Sequence, residues 1–396
     1  MALSQRIMNL TESQTLAMAK RTRELQAKGI DIISLSLGEP DFDTPDFIKV
    51  AAKKAIDDNY TRYTPVPGYL DLRQAISEKF KRDNNLDYAP DQIVVSTGAK
   101  QSLANVILSL IDEGDEVIIP TPYWVSYSDQ IKLAGGKVKF INANVESDFK
   151  ITPKQLDDAI SSKTKLLIFS TPCNPTGSVY TKDELRDLAN VLAKHSNVYI
   201  IADEIYEYIN FTGRHDSIAQ FSEINERVIT VNGVSKGYAM TGWRIGYIGA
   251  SKEIAAACEK MQGQFTSGTC SIAQRAALVA IKEDPKVTKP MLEAFLRRRD
   301  LVLGLLKEIE GLKCNIPQGA FYVFPDVTSY FGKSFGAYKI NNSSDMAEYL
   351  LMEGHVAVVA GEAFGDDNCI RFSYATSDEK LKQALSRIKI ALDKLI

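Results

Sequence analysis

The chain has 396 residues, 45% hydrophobic and 24% charged, with a formal net charge of −3. That length exceeds one compact core and predicts two domains, and the charge balance excludes a basic nucleic-acid surface. No apolar run approaches the ~18 residues of a membrane span, Met1–Leu10 lacks a leader's apolar core, and five scattered cysteines without C-x-x-C spacing predict reduced thiols in a cytoplasm rather than a disulfide frame or zinc site.

In chain order, the first ten residues read as an arm and Thr11 to Lys28 as a helix stopped at Gly29. A short strand, Asp31 to Ser36, enters the Gly/Pro-punctuated loop Leu37 to Pro45. Pro45 opens a helix running to about Asn59. Helices and short apolar strands then alternate. Strands are expected at 92–96, 116–119, 137–140, 166–170, 198–202, 228–231 and 244–248. Helices are expected at 69–82, 100–110, 123–134 and 182–194. This is an α/β pattern with a mostly parallel central sheet. A long helix from Lys289 to Glu310 leads into a mixed pattern. Its strands are 320–324, 356–359 and 370–373; its helices are 344–353 and 378–395. The expected division is 1–46 as arm and part of a small domain, 47–288 as a large domain, and 289–396 as a small α+β domain. The Arg297-Arg298-Arg299 triplet reads as a solvated helix face.

The stretch from Asn232 to Arg244 holds the most chemistry. Lys236 follows a β-branched strand, glycines stand at 233, 237 and 242, and Arg244 lies behind. A side chain at those glycines would hold a ligand off the backbone. This combination suits a cofactor with both an aldehyde and a phosphate, the lysine amine condensing with the first and the arginine gripping the second. Gly233-Val234-Ser235-Lys236-Gly237 also matches the serine-hydrolase elbow. That reading needs a downstream catalytic histidine, and the only one, His355, falls in an apolar strand pattern. Ligands in open α/β sheets sit beyond the strands' carboxyl ends. Gly98-Ala99-Lys100, Asn174, Asp203 and Lys236 each follow an expected strand and can converge there. The helix start after Gly98 offers free N–H groups to a phosphate.

Asn-Pro-Thr-Gly at 174–177, Asp-Glu-Ile-Tyr at 203–206, Ser235-Lys236, Met-Thr-Gly-Trp-Arg at 240–244 and Arg371 in Ile370–Ala375 occur in that order. With them the chain resembles the fold-type-I, pyridoxal-phosphate-dependent aminotransferases of the aspartate aminotransferase class, over nearly its whole length. The resemblance implies that Lys236 holds the cofactor and serves as the base. It implies that Asp203 pairs with the pyridine nitrogen, and that Tyr206 and Asn174 bond the ring's phenolic oxygen. Arg244, Ser235 and the backbone near Gly98, Ala99 and Lys100 would bind the phosphate, and Trp124 would stack on the ring. Arg371 would clamp the substrate α-carboxylate beside Gly38. Tyr63 matches a family tyrosine that reaches the neighbouring subunit's phosphate, which implies a homodimer with shared active sites. Gly233 and Tyr127 stand where the best-known members have serine and histidine. Both changes resemble the subgroup of bacteria and plant plastids, in which Lys100 would read the side-chain carboxylate of aspartate. Some of that subgroup accept prephenate, and Thr15 lies near where that choice is made. The expected activity is amino transfer from an L-amino acid, aspartate first, to a 2-oxo acid, 2-oxoglutarate first. An aromatic, prephenate or broad specificity and a β-lyase on the same fold are the alternatives.

Overall fold

Continuous apolar strands need cover on both faces, and the central sheet supplies it. The computed structural model describes residues 3–12 and 14–396. The arm's first two residues, and Ser13 in the first expected helix, lie outside the described residues. Seven strands lie in the order Ile93–Ser96, Gly246–Gly249, Val228–Gly233, Tyr199–Asp203, Thr164–Ser170, Glu116–Thr121, Lys137–Asn142. Gly246–Gly249 is antiparallel to both its neighbours; the other pairings are parallel. The period-2 alternation sorts one strand between two cores. Leu166 and Ile168 face a layer with Leu103, Val106 and Ile254, whereas Leu167 and Phe169 face one with Phe80, Leu188 and Ala276. Each such side chain contributes about 1.5–3 kcal/mol by leaving water.

A third core surrounds the sheet Val359–Ala360, Ile370–Ser373, Tyr322–Val323. Helices Lys289–Leu306, Ser343–Met352 and Asp378–Leu392 bury Phe295, Val302, Leu350 and Ile388 there. Ile33–Ser34 pairs in parallel with Val356–Ala357, so the early strand belongs with the C-terminal elements.

Several expectations change. The run 356–359 is two strands: Val356–Ala357 pairs with Ile33–Ser34, and Val359–Ala360 with Ile370–Ser373. The chain crosses between two sheets there without losing burial, so hydropathy carries no mark of the break. Helices Lys252–Phe265 and Ser271–Lys282 fill a stretch to which the sequence pattern assigned nothing. The arginine triplet is not a plain solvated face. Arg298 is buried and holds Asp41 through two hydrogen bonds of 2.7 and 2.9 Å, while Arg297 stays on the surface with Asp378. A buried guanidinium needs a paired carboxylate, and the loop after Gly38 supplies it.

The candidate active site

The sheet delivers its chemistry at one edge. Asp203 and Ser170 are the last residues of adjacent parallel strands. Val228–Gly233 runs straight into Ser235 and Lys236. Ile93–Ser96 leads to Gly98, whose φ of +81° opens the helix Ala99–Leu110. The antiparallel strand Gly246–Gly249 begins at the same edge, so Arg244, with φ +57°, comes back beside Gly98. A Cβ at Gly98 would sit 2.2 Å from Arg244 Nη2. By contrast, Cβ atoms at Gly233 and Gly237 would meet Ile245 O and the Tyr208 ring, and Gly242 meets nothing. Two of those three glycines, Gly233 and Gly237, therefore serve close packing within the chain rather than space for a ligand.

A cleft of about 420 Å³ opens between this edge and the sheet holding Arg371. Its walls include Gly38, Ala99, Lys100, Trp124, Asn174, Asp203, Tyr206, Ser235, Lys236, Arg244 and Arg371. Gly98 lies one residue outside the wall, and Tyr63 is fully exposed away from it. Thr15 and Leu16 form part of the rim.

Burial sets the electrostatics. It pulls the Lys236 amine down to about 8, against the opposing pull of Glu39. The amine donates to the Gly38 carbonyl. Burial also lifts the Asp203 carboxyl to about 6, while hydrogen bonds from Tyr127 Oη (2.7 Å) and the Ile205 N–H (3.3 Å) draw it back. Desolvation, then Arg244 nearby, hold Lys100 below its usual value; its Nζ stands 5.1 Å from the centre of the Trp124 ring. Arg371 is 1% exposed. Its Nη1 donates to Asn174 Oδ1 at 2.9 Å and its Nη2 to Ser36 O at 2.7 Å, and its buried Nε has no partner. Tyr206 Oη meets Tyr322 Oη at 2.8 Å.

Tyr322, Glu39, Ser170 and Thr241 also line the cleft and were not singled out from sequence. Tyr322 sits in a run where residues 320–324 are all buried, so nothing distinguishes it from core. Tyr127 was visible only as a departure from a pattern; its role as hydrogen-bond donor to Asp203 needed the fold.

The family model for aminotransferase class I and II matches residues 30–388. The chain belongs to that family. This aminotransferase is 48% identical over 394 residues to the probable aspartate/prephenate aminotransferase of Rickettsia conorii, covering 99% of this chain and 98% of that one. The aspartate/prephenate aminotransferase of Cereibacter sphaeroides is 48% identical over 390 residues, covering 98% of each. Among solved structures, the aspartate aminotransferase of Rhizobium meliloti superposes with a TM-score of 0.97 at 43% identity over 100% of both chains. That of Thermus thermophilus, solved with maleate, gives 0.92 at 39% identity, covering 99% of this chain and 100% of that one. The expected family, the α/β fold and the transaminase activity are thus borne out.

Proposed function

We propose that this transaminase uses pyridoxal phosphate and moves an amino group from aspartate to 2-oxoglutarate. One observation carries the reading. Lys100, Lys236, Arg244 and Arg371 line a single cleft against Glu39 and Asp203, a surplus of two positive charges among the described residues. Arg244, Arg371 and Lys236 find no acidic partner within ion-pair distance among those residues. Such a surplus fits a phosphate together with a carboxylate substrate. The glycine at 98 gives the Arg244 guanidinium the space it needs at a helix start, and the orphaned Arg371 Nε is a donor still to be used.

Arg244, Ser235 and the N–H groups after Gly98 would hold the phosphate, Trp124 the ring face, and Asn174 with Tyr206 the phenolic oxygen. Asp203 would hold a proton on the pyridine nitrogen. When bound, pyridoxal phosphate supplies an aldehyde for the amino group and a ring that draws electron density from the substrate α-carbon. Lys236 would tether the aldehyde in the resting state and then take the α-proton on Nζ. An amine near 8 is deprotonated often enough at neutral pH to do so. Arg371 would bind the α-carboxylate in the space beside Gly38, and Lys100 at the mouth the distal carboxylate. The dicarboxylate maleate in the Thermus thermophilus structure supports an acidic substrate. Prephenate as a second acceptor draws support from the relatives' names and from Thr15 and Leu16 at the rim.

The reading extends to a homodimer in which Tyr63, fully exposed here, completes the partner's phosphate site. It includes residues 47–288 as a large domain, 289–396 as a small one, and 1–46 as an arm and part of the small domain. It places the protein in the cytoplasm, with support from five free cysteines. No helix among the described residues is long and apolar enough to cross a membrane. The test follows the cofactor's absorbance while single amino acids are added. Conversion by aspartate and glutamate, weakened in Lys100→Ala, supports the acidic-substrate reading. Conversion by aromatic amino acids with aspartate inert removes Lys100 from its role, and no cofactor band after adding pyridoxal phosphate overturns the whole.

A further inference from the structure

Behind Asp203, on the side away from the cleft, lies a buried group of charges that the reaction does not use. Glu204 follows Asp203 directly, and its N–H continues the ladder to Val231 O at 2.9 Å. Its side chain is 0% exposed and points away from the cleft that Asp203 lines. His215 Nε2 lies 3.0 Å from Glu204 Oε2, with a side chain only 6% exposed. Neither Glu204 oxygen and neither ring nitrogen makes an aligned hydrogen bond. The group that compensates this carboxylate is the His215 ring beside it.

The neighbours fix its sign. Lys79 pairs with Glu207, and Asn84 bridges both, accepting from Lys79 Nζ at 2.7 Å and donating to Glu207 Oε2 at 2.8 Å. Lys79 is thus committed to Glu207. Tyr88 faces Glu204, and Tyr208, Tyr238 and Tyr247 face Glu207; burial keeps all four neutral. Two carboxylates against one ammonium leave one negative charge, which a protonated His215 cancels. Burial is the strongest single influence on His215 and lowers its pKa, yet Glu204, then Glu207, together outweigh burial and Lys79 and leave it raised. The Glu204 charge is also felt by Asp203, which it pushes toward its neutral form.

We propose that His215 is a positioning residue for the transamination site: as a buried imidazolium it cancels Glu204 directly behind Asp203, and so keeps the Asp203 carboxylate ionised. This rests on Asp203 being the partner of the pyridine nitrogen. The chain has three histidines, His195, His215 and His355. His195 pairs with exposed Asp157 and His355 is on the surface. Carbon-13 NMR of histidine-labelled full-length protein therefore reads the buried ring beside only two others. His195→Gln and His355→Gln assign the remaining signal.

The His215 signal is expected to hold the imidazolium position at pH 7. In Glu204→Gln its midpoint should fall by at least about one unit, a tenfold change in protonation. In the holoenzyme, His215→Gln should lower kcat about tenfold with KM little changed, and Glu204→Gln/His215→Gln should recover most of that loss. A purely structural histidine gives the opposite: the double variant is as slow as the single, or slower. That result, or a His215 signal that is neutral at pH 7 or unmoved by Glu204→Gln, overturns the proposal. If His215→Gln does not fold, the spectra of wild type and Glu204→Gln decide alone. A wild-type protein that transaminates nothing would fault the function, while the NMR titration would still read the buried pair.

Discussion

Replacing Asp203 by asparagine should stabilise the cofactor-free protein at neutral pH while ending its activity. The folded carboxyl stands at about 6, against an ordinary value of 3.8, because burial disfavours its charge. The folded state therefore holds the proton more tightly than the unfolded one. Stability from this group is greatest below 3.8 and declines as pH rises through about 6. The shift is roughly two units, and at about 1.4 kcal/mol per unit the ionised carboxylate costs about 3 kcal/mol above pH 6. An amide carries no such penalty and still accepts the Tyr127 hydroxyl proton, which stands 2.7 Å away. Urea unfolding of cofactor-free wild type and Asp203→Asn, at pH 4, 6 and 8, measures the difference. The variant should lead by about 2–3 kcal/mol at pH 8 and lose that lead by pH 4. A gap that is constant with pH, or a less stable variant at pH 8, would refute the reasoning.

Lys236 gives the complementary window. Its amine is lowered from 10.5 to about 8, so the cofactor-free wild type should gain stability as pH rises from 8 towards 10.5, and Lys236→Met should abolish that rise in the same unfolding series. Lys236→Ala should slow the half-reaction by about 10⁴-fold and remove the band of the tethered cofactor, read by stopped-flow absorbance. Arg371→Lys loses the planar fork that reaches Asn174 and Ser36. It should raise KM for the amino donor about 10–100-fold and leave the dissociation constant of pyridoxal phosphate unchanged, as steady-state kinetics and equilibrium titration would report. Gly98→Ala puts a methyl 2.2 Å from Arg244 Nη2 at a φ of +81°. It should weaken pyridoxal phosphate binding at least about tenfold, with aspartate's KM little altered at saturating cofactor.

The apolar strands were legible because all but the edge strand Lys137–Asn142 are largely buried on both faces and bounded by turn residues. The four groups that follow those strands fell at one sheet edge, as strand-end logic requires. What hydropathy could not carry was orientation. Gly246–Gly249 is as fully buried as the two strands beside it, yet runs antiparallel to both. The helix Pro153–Ala159 carries a legible start: Thr152 caps it, accepting from the Gln155 N–H, with Pro153 at its first position. Arg298 was misread because its partner, Asp41, lies 257 residues away, and sequence spacing says nothing about such a pair. The glycines at 233 and 237 were read as room for a ligand, whereas their neighbours are Ile245 and Tyr208. A glycine signals close approach without saying of what.

The reversed strand has a further consequence. Lys236 and Arg244 stand on one short covalent return, between a strand leaving the sheet edge and the next re-entering it. Their separation is set by the sheet's own hydrogen-bond ladder, whereas Arg371 belongs to a different sheet with its own core. On the proposed roles, a separation of the two cores by a few ångströms would leave the anchors for the resident group at their spacing and open the Arg371 clamp on the passing molecule. Such a molecule would exchange guests at every half-cycle and still retain its lodger.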